Sequence, residues 1–136
     1  MEEYPWSMLV TTFLLTLNMW LASKVSQARL TTSGVSSSHS PEIYRQRDFM
    51  RVFRNHANFH EHLMVFLPIF WIFGFCYSDV LATAIGLLFL IGRIMYARNY
   101  PENHRVGFMI SLASFLILLL GVALKAIYII TKNILF

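Results

Sequence analysis

The apolar run at residues 63–77 is 15 residues long and directly follows the polar stretch Arg54-Asn55-His56-Ala57-Asn58-Phe59-His60-Glu61-His62. A helix needs about 20 residues to cross a hydrocarbon core at ~1.5 Å per residue, so the run is too short on its own. Ser78-Asp79 reads as a turn, and the missing length must come from upstream. Completion on that side carries Glu61, Asn58 and Arg54 into or near the membrane. Ionisable groups at such depth are costly and face a bundle interior or a wet cavity, which marks them as a candidate functional site. At ~100° per residue, Arg51, Arg54, Asn58, Glu61 and His62 fall within about a quarter of the circumference, away from Phe53, Phe59 and Phe66. The plainer reading is a structural network in which Arg54 and Glu61 neutralise each other or neutral partners. Two cations, an amide and a carboxylate on one stripe hold more polar capacity than one ion pair uses.

Composition sets the class. The chain has 136 residues, 57% of them hydrophobic and 13% charged, and its mean hydropathy is +0.56. Four hydrophobic segments can be drawn, at about 8–28, 56–77, 80–98 and 106–131. The repeated ten-residue alternation of a membrane β-barrel is absent, which leaves helices as the way to satisfy backbone groups in lipid. The expectation is an all-α integral membrane four-helix bundle forming one domain over 1–136, with helices at about 6–30, 42–77, 80–99 and 104–132. Glu2 and Glu3 replace a basic leader and no cleavage site follows the first apolar run, so that helix is expected to be retained. The single Cys76 lies in an apolar run and reads as a small packed hydrophobe rather than a nucleophile.

The net charge of +4 is informative by position. Lys24, Arg29, Arg45, Arg47, Arg51 and Arg54 surround the first connection, Arg93, Arg98 and Arg105 the third, and Lys125 and Lys132 lie at the other end. The positive-inside rule then places connections one and three in the cytoplasm, with both termini and the Ser78-Asp79 turn on the opposite side. Arginines that flank membrane spans do not form a soluble basic surface, so nucleic acid is not an implied partner.

In the first span, Thr11, Thr12, Thr16 and Asn18 interrupt an apolar helix, and Asn18 suits a hydrogen bond to a neighbouring helix. Arg29 at its end reads as an interfacial anchor or a functional cation. Residues 30–41 are rich in Ser and Thr and read as a flexible loop, and Pro41-Glu42 reads as the start of a long second helix that projects into the cytoplasm. Pro68 predicts a kink. Arg93, Tyr96 and Tyr100 are spaced i, i+3, i+7 and share a face at the end of helix three, though an aromatic belt also places tyrosines at this depth. Arg105 opens helix four, where a cation opposes the helix dipole, and this suggests an anionic partner. Ser111, Ser114 and Gly121 permit close helix approach, and Lys125 can snorkel to the far interface.

Two polar patches thus share the cytoplasmic half. Arg54, Arg98 and Arg105 supply cations, Asn58 and the tyrosines hydrogen bonds, and Glu61 a carboxylate able to hold an ammonium group. Such a site suits a small zwitterionic ligand with excess negative charge, and a lipid-facing wall would admit an apolar second substrate from the bilayer. His56, His60 and His62 beside Glu61 raise a metal site, since i, i+4 histidines can share an ion. His56 and His60 point away from the stripe, only His39 and His104 remain elsewhere, and HExxH and multiple histidine boxes are absent, so no metal is expected.

Arg54-x-His56-x-Asn58-x-x-Glu61 resembles the signature of membrane-associated proteins in eicosanoid and glutathione metabolism (MAPEG), especially the microsomal glutathione transferases. Gly92-Arg93-x-x-Tyr96 and Asn103-His104-Arg105-x-Gly107 are similar to the family's helix-three end and catalytic-arginine turn. The resemblance implies a homotrimer that binds glutathione between subunits near the cytoplasmic surface of a bacterial inner membrane or an endoplasmic reticulum. It assigns glutathione to Arg54, Asn58, Glu61, Tyr96 and Tyr100, with His56 where relatives have His or Gln, and Arg29 reaching in from the neighbouring subunit. Arg98 adds a cation, Arg105 would stabilise the thiolate, and His62 departs from the Tyr or Asn of relatives. The implied chemistry is thiolate attack on a hydrophobic electrophile, or reduction of a lipid hydroperoxide. A non-catalytic lipid-binding or scaffold role on the same fold is the alternative. A transporter fits poorly, because four short spans without a broken helix pair leave little room for alternating access.

Overall fold

The computed structural model describes residues 3–32 and 41–135; most of the Ser/Thr-rich loop predicted at 30–41, with His39, lies outside the described residues. The chain forms four helices, α1 (Pro5–Thr31), α2 (Arg47–Cys76), α3 (Asp79–Asn99) and α4 (Arg105–Leu135), and all four are long and apolar enough to cross a membrane. Together they form an integral membrane four-helix bundle. Large apolar side chains such as Trp20, Met64, Val80, Leu120 and Ile130 are exposed, as befits a surface solvated by lipid.

The core follows from a single stripe of α2. Phe59, Leu63, Phe66, Phe70 and Phe73 recur at alternating steps of four and three residues and are all buried, against Val10, Leu14 and Leu21 of α1, Ala82 and Phe89 of α3, and Leu118 of α4. The Phe66 and Phe89 rings stack with centroids 3.7 Å apart. With its apolar face committed to the core, α2 presents Arg54, Asn58 and Glu61 on another side, and it runs unbroken through Pro68.

Glycines bring α3 and α4 into backbone contact. A Cβ on Gly92 would lie 2.8 Å from the Ser111 nitrogen, and one on Gly107 would lie 2.6 Å from the Gly92 carbonyl oxygen. The buried Ser111 hydroxyl donates to the Gly107 carbonyl at 3.0 Å, so its polar atom needs no partner on another helix. Thr11, Thr12 and Thr16 return their hydroxyls to carbonyls four residues earlier in the same way.

The ends of the helices are fastened by side chains from other elements. Asp79 accepts from the backbone N–H of Ser7 (2.9 Å, Oδ1) and of Trp6 (3.1 Å, Oδ2), which satisfies two open donors in the first turn of α1. Ser78 caps α3 through Leu81 N–H at 3.2 Å, and the Tyr77 hydroxyl donates to the Gly121 carbonyl at 2.8 Å. At the other end, Pro41–Arg45 is a 3-10 turn, Gln46 is extended, and the α-helix begins at Arg47 rather than at the predicted Pro41-Glu42. Burial of Ile43 against Val25 and Phe49 explains the break. In one continuous helix positions 43 and 49 would point about 120° apart.

Candidate functional site

Arg54, Ala57, Asn58 and Glu61 of α2 and Tyr96 and Tyr100 at the end of α3 line one groove of about 260 Å³. Its position depends on how α3 terminates. The Asn55 side chain donates to the Ala97 carbonyl at 3.1 Å, and Arg51 donates through Nη2 (2.9 Å) and Nε (3.3 Å) to the carbonyl of Tyr100. Both acceptors lie in or just past the last turn of α3, where carbonyls lack helical partners and favour a cation. The polar side of α2 therefore clamps the carboxyl end of α3, and that clamp sets the two tyrosines beside Asn58.

Tyr96 and Tyr100 lie with ring centroids 5.5 Å apart, and the His104 ring packs at 5.1 Å from the first and 5.5 Å from the second. His104 Nδ1 is 2.6 Å from the Pro101 carbonyl, across the turn begun by the cis Tyr100-Pro101 peptide. Two further hollows share wall residues with the groove. Toward the helix-two start lies a wider hollow of about 380 Å³, with Arg47, Arg51, Arg54, Tyr100 and Glu102 in its wall. Toward the middle of the bundle, Glu61 also borders an apolar cleft of about 280 Å³ formed by His62, Val65, Phe89, Leu112 and Phe115. A charged trough and a greasy cleft thus share a carboxylate.

Five of the residues singled out in the sequence meet in the groove: Arg54, Asn58, Glu61, Tyr96 and Tyr100. His62 borders the adjoining cleft, its ring edge-on to Phe108 at 5.9 Å. The others stand apart within a single chain. Arg29 donates to the Tyr44 hydroxyl at 3.1 Å and lies over the Phe49 ring at 5.5 Å. His56 packs on His60 at 5.9 Å, and its Nε2 is buried without a partner. Arg98 and Arg105 are exposed and do not line the groove. Arg54 and Glu61 form no ion pair with each other, whereas their neighbours Arg51, Asn55 and Asn58 are hydrogen-bonded to α3.

One residue of the site escaped the sequence reading. Arg93 appeared there as a membrane flank sharing a face with the tyrosines. It is only 1% exposed, donates from Nη2 to Asn58 Oδ1 at 2.9 Å, and lies over the rings of Phe59 (5.2 Å) and Tyr96 (4.7 Å). A lone arginine inside an otherwise apolar helix was the signal that could have found it. Among the described residues, no group of three or more His, Cys, Asp or Glu side chains is placed to hold a metal ion.

The fold and the site together define an integral membrane four-helix bundle with a polar groove beside an apolar cleft. The MAPEG family's sequence model matches residues 7–126, and the chain belongs to that family. It is 33% identical over 129 residues to an uncharacterized protein of Synechocystis, covering 93% of this chain and 91% of that one. It is also 32% identical over 83 residues to human microsomal glutathione S-transferase 2, covering 59% of this chain, and over 90 residues to the mouse protein, covering 61%. Those alignments span 56% of the human and 61% of the mouse protein.

Proposed function

We propose that this chain is a membrane-bound glutathione transferase that works as a homotrimer, attacks hydrophobic electrophiles with the glutathione thiolate and also reduces lipid hydroperoxides. The observation that carries the reading is the groove where Arg54, Asn58, Glu61, Tyr96 and Tyr100 converge, beside an apolar cleft that also has Glu61 in its wall. Glutathione brings carboxylates, an ammonium group and a thiol. Arg54 offers a guanidinium for a carboxylate, Glu61 a counter-charge for the ammonium, and the tyrosine hydroxyls further donors. The donor set therefore fits the tripeptide.

The groove lies open on one side of a single chain, with Arg54 and Glu61 exposed, and a neighbouring subunit would close it. In that arrangement Arg29 comes from the neighbour, Arg98 adds a cation beside the ligand, and His56 takes part as a neutral hydrogen-bonding group. Arg105 opens α4, so a thiolate beside it would experience both a guanidinium and the positive end of a helix. An unperturbed thiol with pKa ~8.5 is mostly protonated at neutral pH, and each unit of depression is worth ~1.4 kcal/mol. The charge pattern supports a site on the cytoplasmic side with both termini on the other.

Conjugation of a chlorodinitrobenzene-type acceptor by the purified protein, followed with the thiolate absorbance that appears on adding glutathione, tests the reading. Wild type should show both, and Arg105→Ala should lose on the order of 100-fold in kcat, as expected when one stabiliser of a developing anion is removed. Wild-type turnover in that variant would refute the role of Arg105. Absence of both signals in wild type would point to a lipid-binding scaffold.

A further inference from the structure

We infer that Arg93 is a positioning residue that turns Asn58 into a one-way hydrogen-bond donor, so that the groove accepts only a ligand with an acceptor atom at that point. This rests on the groove being the glutathione site. The first observation is burial. Arg93 is the one charged side chain among the fully buried described residues, and it has no carboxylate partner. Its Nε and Nη1 are buried without hydrogen bonds, and only Nη2 is engaged, with Asn58. A buried cation without a carboxylate partner is costly for the fold, and the Phe59 and Tyr96 rings beneath it offset only part of that cost.

The second observation is chemical polarity. A guanidinium carries donors only, so the atom of Asn58 that faces it must be the oxygen. The amide nitrogen is then directed away from Arg93. It makes no hydrogen bond to any described residue and is not among the sealed, unpartnered atoms, while Asn58 itself lines the groove. The N–H2 group therefore stands open to the ligand, and the amide cannot flip without leaving Arg93 facing a second donor. Carboxylate, carbonyl and thiolate groups are admitted beside Asn58, and an ammonium group is turned away toward Glu61. The positive potential of Arg93 reaches the ligand through the polarised amide, which strengthens the donor.

The test uses the full chain in detergent, with melting temperature, glutathione binding by calorimetry, and KM and kcat for glutathione. Arg93→Met keeps the volume of the side chain and removes the buried charge, so the melting temperature should hold or rise. KM for glutathione should rise about tenfold, the order of one hydrogen bond to a charged group, with kcat at saturation within about threefold. Arg93→Lys, which can still donate to Asn58, should recover most of the loss. Asn58→Asp keeps an acceptor for Arg93 and removes the donor, and should be as stable as wild type with KM raised at least as far. Folded variants with wild-type KM would overturn the inference, as would a fall in melting temperature with KM unchanged. Should the variants fail to fold, wild type labelled with 15N-asparagine decides: the Asn58 side-chain amide resonance should move when glutathione is added, and no movement refutes the proposal. Wild type that binds no glutathione overturns both this inference and the functional reading, whereas binding that is indifferent to Asn58 and Arg93 overturns this inference alone.

Discussion

Glu61 faces two cavities and pairs with neither Arg54 nor any other described cation, so its carboxylate is free for a ligand. Glu61→Gln should accordingly leave the melting temperature unchanged and raise KM for glutathione several-fold, in steady-state kinetics and a thermal melt run on the same preparation. A structural ion pair would give the reverse pattern. The residues on the stripe were legible because period alone determines which positions of a helix share a side, and Arg54, Asn58 and Glu61 meet that condition. Tyr96 and Tyr100 were legible for the same reason. Arg93 could have been flagged as a lone arginine in an apolar helix, but its partners could not, because they depend on where Asn58 and the Phe59 and Tyr96 rings come to rest between helices. Arg29 is similar: its contacts with Tyr44 and Phe49 depend on how Ile43 and Phe49 pack against Val25 of α1.

Between elements, stability concentrates at a few contacts that side-chain choice cannot relocate. Gly107→Leu should force α3 and α4 apart at Gly92 and Tyr96, shift the α3 end that carries both tyrosines, and lower the melting temperature in detergent by several degrees. The same substitution should weaken glutathione binding, although Gly107 itself lies outside the groove. Asp79→Ala should cost about 1–2 kcal/mol by exposing two amide donors of α1, measured as a lower midpoint on heating, with turnover per folded molecule retained. Helix number and type were readable from length and hydropathy, since four apolar runs in lipid have little alternative. The start of α2 was misread at Pro41-Glu42, where good helix-opening chemistry was outweighed by the burial of Ile43 on Phe49.

At the scale of the molecule, the proposed trimer would close the open side of the groove, where Arg54 and Glu61 are exposed. Light scattering of the detergent-solubilised protein, corrected for bound detergent, should return three times the 15.8 kDa chain mass. A monomeric mass in protein that still turns over glutathione would refute the shared site. The tie between Asp79 and the opening turn of α1 spans 72 positions of sequence. The two α1 amides that it satisfies therefore meet this partner only once the start of α3 has been made.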